Sequence, residues 1–352
     1  MIIDTIELKN YRSYSEKRIE LSSGTNVFWG NNAQGKTNIL EAVYLSAIGR
    51  SFRTRKDAEL VKMGQEFATV TVEASLSDRK KKINIVLSEN GKKQVKINDI
   101  KQQKLSALFG NVLIVLFSPE TLEFVKGDPG ERRKNFDLLI SQLNPGYIYV
   151  LQEYYKILEQ KNNLLKTKRE RLPTLEADIW DERLAMANVK IKKIREENIQ
   201  KILPLFRDYH SQMSEKKEAV ELVYKTQIPE SEEECLNLIK SKREKDIFRG
   251  FTSVGIHRDD YLMSINELPL GNFGSQGQIR TAVLALKLAE KDLVFQEKGE
   301  MPVLLLDDVM SELDKERREF LYEKLKNCQV LITCTDELKG KDVKSFYIEK
   351  EM

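Results

Sequence analysis

The chain has 352 residues, 41% of them hydrophobic and 32% charged, with only 8 prolines and 17 glycines. That apolar share can bury a core across about two domains, which excludes wholesale disorder and collagen-like repeats. The 58 basic and 55 acidic residues leave a net charge of +3, so bulk charge does not mark a nucleic-acid binder, and no apolar run approaches the roughly 18 residues that span a bilayer.

The chain begins MIIDTIELKN, with Asp4 and Glu7 where a secretory leader needs a basic start and an apolar stretch, so a cytoplasmic protein without membrane association is expected. The three cysteines, Cys235, Cys328 and Cys334, lack CxxC spacing and read as small buried residues. Ile6 and Leu8 alternate with polar residues, as do Ile19 and Leu21, predicting strands. Val27–Trp29 is a short apolar strand that ends at Gly30, and residues 39–48 predict an amphipathic helix. Val70 to Leu76 and Ile83 to Leu87 alternate, and Asn90-Gly91 marks a tight turn back to Val95 and Ile97. Leu113–Phe117 reads as a buried strand.

From Gly130 to Lys245 the chain becomes rich in Leu, Glu and Lys at helical spacing, broken at Pro145-Gly146, Pro173 and Pro204, with one short strand at Val220–Tyr224. Strands return from Phe248, with Tyr261, Met263 and Ile265 alternating. A helix from Gln278, a wholly apolar strand at Val303–Leu306, a helix from Lys315 and a strand at Val330–Thr333 follow. The expected organisation is an α/β body built from both chain ends, residues 1–125 and 248–352, with a helical insertion over 126–247.

Gly30-Asn31-Asn32-Ala33-Gln34-Gly35-Lys36-Thr37 matches GxxxxGK[ST] between a strand and a helix, the setting a phosphate-binding loop requires. Glycines let backbone N–H groups turn around phosphate oxygens, and the helix N-terminus adds positive potential. Lys36 would neutralise the β- and γ-phosphates of ATP, and the Thr37 hydroxyl would ligate Mg²⁺. Val303–Leu306 would deliver Asp307 and Asp308 at a strand's C-terminal end, the first to the Mg²⁺ shell and the second to the attacking water. Gly274-Ser275-Gln276-Gly277-Gln278 opens another helix, and Ser275 precedes Asp307 by 32 positions (307 minus 275). Taken alone this is either an ordinary N-cap or a second anion-binding helix start. One γ-phosphate does not need two such devices on one chain, so the ordered trio points to a head-to-tail homodimer. In it Ser275, Gln276 and Gly277 face the partner's nucleotide, and Ser311-Glu312-Leu313-Asp314 lies where the chains would cross.

This set of motifs resembles the ABC-type, SMC-like ATPase heads of chromosome-maintenance and DNA-repair proteins, and among them the bacterial recombination mediators. The likeness runs along nearly the whole chain. It is carried by residues 32–38, Phe117-Ser118-Pro119-Glu120, Gly255-Ile256-His257-Arg258-Asp259-Asp260, Phe273–Gln278 and Leu304–Asp308 with Ser311–Asp314. Ile256 stands where the family pattern has proline. The resemblance implies a P-loop ATPase lobe with a mixed sheet and a helical arm. It also implies weak DNA-stimulated ATP hydrolysis, ATP-dependent dimerisation, binding to double-stranded DNA or its junctions with single strands, and partnership with RecR in loading recombinase.

A transporter ATPase subunit would carry a histidine near Leu331–Thr335, and none is there. A long-armed chromosome-maintenance protein would need hundreds of residues of sustained heptads. A regulatory nucleotide-binding protein indifferent to DNA is the remaining rival. The DNA face is expected where cations concentrate, at Arg50, Arg53, Arg55 and Lys56 and at Lys80, Lys81, Lys82, Lys92 and Lys93 within a run from Arg79 to Lys104. Arg132, Arg133 and Lys134 are a second candidate, and His257–Asp260 is either a polar site or a charged turn.

Overall fold

A computed structural model describes residues 1–167, 174–215, 217–338, 340 and 342–349. Pro173, read as a helix break, lies outside the described residues. Strands β1 (Ile2–Tyr11) and β2 (Tyr14–Glu20) form a hairpin, and β3 (Thr25–Trp29) leads into helix α1 (Lys36–Ile48). Four more strands follow, β4 (Phe67–Ser75), β5 (Lys80–Ser88), β6 (Lys93–Ile97) and β7 (Ile100–Gln102), and then β8 (Ile114–Phe117) and a one-turn helix α2 (Pro119–Leu122). The middle holds α3 (Pro129–Leu143), α4 (Pro145–Thr167), α5 (Thr174–Met213), β9 (Val220–Lys225) and α6 (Glu232–Arg249). The rest comprises β10 (Asp260–Ile265), β11 (Leu268–Pro269), α7 (Leu270–Phe273), α8 (Gln276–Lys298), β12 (Val303–Asp307), α9 (Lys315–Leu325), β13 (Val330–Cys334) and β14 (Val343–Tyr347).

The chain divides into two compact units, residues 1–123, 208–217 and 276–352 in one and 124–207 and 218–275 in the other. In the first, β14-β3-β13-β12-β8 make a wholly parallel sheet, and β2-β1-β4-β5-β6-β7 make an antiparallel one. The fold is α/β as expected, with parallel and antiparallel strands sorted into separate sheets. Helix α1 packs against β4 and β5 of one sheet and β8, β12 and β13 of the other. It is therefore buried all round, Glu41 and Ser46 included, and not amphipathic as its spacing suggested.

In the second unit β11-β10-β9 form a small antiparallel sheet packed on α3 and α7, and α4 packs against α3 and α6. Its core runs from Ile140 and Tyr147 through Leu184 and Ile191 to Cys235, Ile239 and Ile256. The strand at 260–265 pairs with Val220–Lys225, so residues 248–275 group with the helical unit, later than the boundary at 247 drawn from composition. Pro204 does not end its helix, since α5 continues to Met213. The missing N–H and ring clash cost about 3 kcal/mol, which burial of Ile202 and Phe206 on either side offsets.

Candidate nucleotide site

The loop after β3 is fixed by close backbone approach. Gly30 has φ 142°, and a Cβ there would sit 2.6 Å from the Ile348 carbonyl oxygen. Gly35 has φ 104°, and a Cβ there would meet Ser13 Oγ at 2.7 Å. Tyr14 donates its hydroxyl to the Gly35 carbonyl (3.1 Å) and Asn38 Nδ2 donates to Ser13 Oγ (3.1 Å), so the β1–β2 turn clamps the loop from outside. Lys36 is buried and curls back over the loop, its Nζ donating to the carbonyls of Gly30 (2.6 Å) and Asn31 (3.0 Å). Among the described residues, buried Gln34 Oε1 has no hydrogen-bond partner.

In the parallel sheet β13 lies between β3 and β12, so the phosphate-loop strand and the carboxylate strand flank it. Thr37 Oγ1 donates to Asp307 Oδ1 at 2.8 Å, joining residues 270 positions apart. Thr333 donates its hydroxyl to the same oxygen (2.8 Å) and accepts the Asp308 backbone N–H (2.9 Å). Asp308 takes φ 51°, a left-handed conformation that bends the chain at the strand end. Thr333 is not marked by the sequence, because a threonine in an apolar strand carries no motif. Nearby, burial pushes the Cys334 thiol up to about 11, which keeps it protonated at neutral pH.

This arrangement fits a bound nucleoside triphosphate with Mg²⁺. Left-handed backbone at Gly30, Ala33 and Gly35 curves the loop, a buried ammonium spans it, and a hydroxyl and a carboxylate oxygen share one point. Among the described residues no group of three or more His, Cys, Asp or Glu could hold a metal by itself. A magnesium ion here would take ligands from Thr37, Asp307, phosphate oxygens and water.

Helix α8 starts at Gln276, with exposed Ser275 just before it. Arg317 of α9 donates from Nε to Thr281 Oγ1 (2.8 Å) and from Nη2 to the Gly277 carbonyl (3.4 Å), and Arg280 pairs with Glu312 at 2.5 Å. The helix start is thus tied to the segment that follows the two carboxylates. Asp314 caps α9 through the Arg317 N–H (2.9 Å).

The basic residues divide. Arg50, Arg53, Arg55, Lys56, Lys80 and Lys92 are exposed. Arg53 also reaches Asn38 Oδ1 at 3.1 Å, next to the loop. Lys82 pairs with Asp99 (3.6 Å), and strand alternation turns Lys81 towards the side of buried Ile83. Lys93 is spent: its ammonium donates to the Gly49 carbonyl (2.6 Å) and pairs with Asp57 (2.8 Å). It closes the end of α1 and drops out of the DNA-facing set. Behind α1, Glu41 is fully buried and receives Arg12 through Nε (2.8 Å) and Nη2 (2.7 Å), with Ser51 donating at 2.5 Å.

In the second unit the His257–Asp260 turn covers a buried charge network. Arg195, wholly buried, donates to both oxygens of Asp137 (3.0 Å), to Asp259 Oδ2 (3.0 Å) and to the Ile256 carbonyl (3.0 Å). Tyr224 and Thr226 donate to Asp259, the latter at 2.7 Å. Burial raises the Asp259 carboxyl above its ordinary range despite these partners. The Thr252 carbonyl accepts from His257 Nε2 (3.2 Å), so Nδ1 accepts the Tyr154 hydroxyl (2.6 Å) and the ring is neutral. Burial, with Arg258, Arg133 and Lys161 nearby, pushes His257 down to about 4. The Ile256 N–H donates to Asn188 Oδ1 (2.9 Å), a bond that proline at this position could not make. The Arg132 guanidinium pairs bidentately with Asp260 (2.7 and 2.8 Å), and Arg133 donates to the Asp259 carbonyl (2.6 Å). These two arginines are structural.

Phosphate loop, strand-end carboxylates and paired sheets define an ABC-type P-loop ATPase head. The family model described as RecF/RecN/SMC N terminal domain matches residues 2–348. The DNA replication and repair protein RecF of Acetivibrio thermocellus is 44% identical, over 96% of this chain and 94% of its own length. RecF of Alkaliphilus oremlandii is 41% identical over 99% of both chains. A solved recombination mediator protein RecF with ATP, of the RecFOR pathway, superposes with a TM-score of 0.93 at 35% identity, covering 99% of this chain and 96% of that one. An Smc head domain from Pyrococcus furiosus, at 18% identity and TM-score 0.57, shares the fold. The chain belongs to the RecF family.

Proposed function

We propose that this protein is an ATP-gated DNA-binding protein of recombinational repair and replication-fork maintenance, with weak DNA-stimulated ATPase activity. The observation that carries the reading is the Thr37–Asp307 contact at 2.8 Å, which joins the phosphate loop to the strand-end carboxylates at one point. Relatives named as DNA replication and repair proteins, and a RecF structure with ATP in the RecFOR pathway, support the biological setting. The unit made of residues 1–123, 208–217 and 276–352 serves as the ATPase lobe, and the unit made of 124–207 and 218–275 serves as the helical arm.

Residues Gly30 to Thr37 bind the phosphates, with the Lys36 ammonium shifting from loop carbonyls to the β- and γ-phosphate oxygens. Thr37 and Asp307 would hold Mg²⁺, which would supply positive charge against the developing phosphate charge. Asp308 orients the attacking water and takes its proton, with the Thr333 hydroxyl fixing the backbone that carries it. Ser275, Gln276 and Gly277 offer a helix start to the γ-phosphate held by a second copy, so ATP closes a homodimer. The dimer clamps duplex DNA or a junction of single and double strands, and slow hydrolysis releases it. Arg50, Arg53, Arg55, Lys56, Lys80, Lys81, Lys82 and Lys92 supply phosphate contacts without base readout. RecR is the protein partner in loading recombinase, in the cytoplasm.

Asp308→Asn tests the assignment. ATP binding should be kept and turnover should fall by roughly a hundredfold or more, the scale of losing a positioned base. A dimer long-lived on DNA should accumulate in gel filtration. Normal turnover in this variant would remove Asp308 from the chemistry.

A further inference from the structure

A hollow of about 510 Å³ lies in the second unit, and its lining includes Lys225, Arg249, Phe251, Arg258, the polar Gln227 and the acidic Asp260. Its three cations come from three places: the end of β9, the last turn of α6 and the turn at 256–258. None of the three has an ion-pair partner among the described residues. The one lining carboxylate, Asp260, is already held bidentately by Arg132 (2.7 and 2.8 Å). Arg258 lies 5.4 Å from the centre of the Phe251 ring. The hollow is therefore a concentration of unneutralised positive charge with one aromatic wall.

The framework beneath explains how these like charges are kept together. Asp259 follows Arg258 in sequence and accepts from both Tyr224 and Thr226, the two residues that flank Lys225. One buried carboxylate thus ties two of the cations to each other. Gln227 donates to the Ser253 carbonyl (3.1 Å), which fixes β9 to the segment that carries Phe251. Asp246, buried in α6, accepts the Ser253 N–H (3.1 and 3.2 Å), which joins the helix of Arg249 to the same segment. The backbone either side of Arg258 is held by Arg195 on the Ile256 carbonyl and Arg133 on the Asp259 carbonyl, and the His257 ring is held by Tyr154. A buried charge network is a weak source of net stability, so its cost is better explained by what it positions. Here it positions exposed cations.

We infer that this hollow is a second nucleic-acid contact, taking the phosphate–sugar backbone of DNA on Lys225, Arg249 and Arg258. The inference rests on the DNA-binding reading above and adds a site on the other unit. Fixed guanidinium groups suit phosphate oxygens, the Gln227 amide matches backbone oxygens, and the aromatic ring offers a face to a sugar or base. An acidic segment of a partner protein is the competing occupant. The polyanion that the first unit's exposed cations already call for favours DNA.

The test uses the full chain with ATP and Mg²⁺ and a duplex carrying a single-stranded tail, titrated at several salt concentrations. Changing Lys225, Arg249 and Arg258 together to Gln should lower affinity about tenfold to a hundredfold near 0.1 M salt. It should also make the plot of log affinity against log salt shallower by about 2–3 units, one for each phosphate that is no longer neutralised. ATP affinity should be unchanged, since none of the three lies near the phosphate loop in sequence. Arg258→Lys alone should keep most of the slope, which a merely structural role for the guanidinium would not. If the wild type binds DNA and the triple variant binds with the same slope and affinity, the inference is overturned and the hollow falls to an acidic protein segment. If the wild type binds no DNA with ATP present, the functional reading itself fails, and the inference with it.

Discussion

The phosphate-loop site and the Arg195 network solve opposite problems. The first is made largely of backbone, with one buried ammonium resting on carbonyls and a single carboxylate–hydroxyl contact to its partner strand. The second buries whole charges, with one guanidinium between two carboxylates and three tyrosines close by. A site that must accept and release a charged ligand keeps its own groups lightly committed. A site that only positions other groups commits its charged donors and acceptors to fixed partners. The two should therefore respond differently to the loss of one residue.

The largest effect is expected at the network. Arg195→Met leaves Asp137 and Asp259 buried without their cation and should cost about 3–5 kcal/mol. Urea or thermal unfolding should show it as an early transition, with ATP binding retained by whatever remains folded. A loss under 1 kcal/mol would mean that solvent reaches the pair and that the contrast with the nucleotide site is false.

The pH dependence sharpens the same contrast. His257 is held down to about 4 in the folded chain, against an ordinary value near 6.5. The unfolded chain therefore binds the proton more readily, and the stability from the neutral ring is complete above about pH 6.5. It is lost as pH falls through 6.5 towards 4, by up to about 3 kcal/mol. Unfolding midpoints across that window should fall for the wild type and fall less for His257→Gln, whose side chain does not titrate. Parallel curves for the two would place the acid sensitivity elsewhere.

At the nucleotide site the stability cost should be smallest. Lys36→Met removes two hydrogen bonds from the ammonium to loop carbonyls and also the cost of burying that charge, so the net loss should be about 1–2 kcal/mol. ATP affinity should nevertheless fall by tenfold or more, about 1.4 kcal/mol or more, because the charge facing the phosphates is gone. Isothermal titration separates the two quantities. Undiminished ATP binding would refute the placement of the site.

The same contrast governs what is legible in the sequence. Gly30 to Thr37 and Leu304 to Asp308 are contiguous, and their spacing states their chemistry. The alternating strands are legible too, because one face of each is buried. Thr333 is not, since only strand order brings a threonine of β13 between the phosphate loop and the carboxylates. Nor is the network, which gathers Asp137, Tyr147, Arg195, Tyr224 and Asp259 from separate elements. The sequence marks the turn at His257–Asp260 but not its partners. Lys93 misleads because a cation in a basic run looks free until its strand face is known. Pro204 misleads because burial on both sides outweighs a local breaker.

The central claim is that ATP gates both self-association and DNA binding. Sedimentation velocity of the wild-type chain, alone, with ATP and Mg²⁺, and with a tailed duplex added, tests it most directly. The account predicts a monomer without nucleotide, a dimer with ATP and Mg²⁺, and co-sedimentation of DNA with the ATP-bound form only. A chain that stays monomeric with saturating ATP, or that binds DNA equally well without it, would contradict the account.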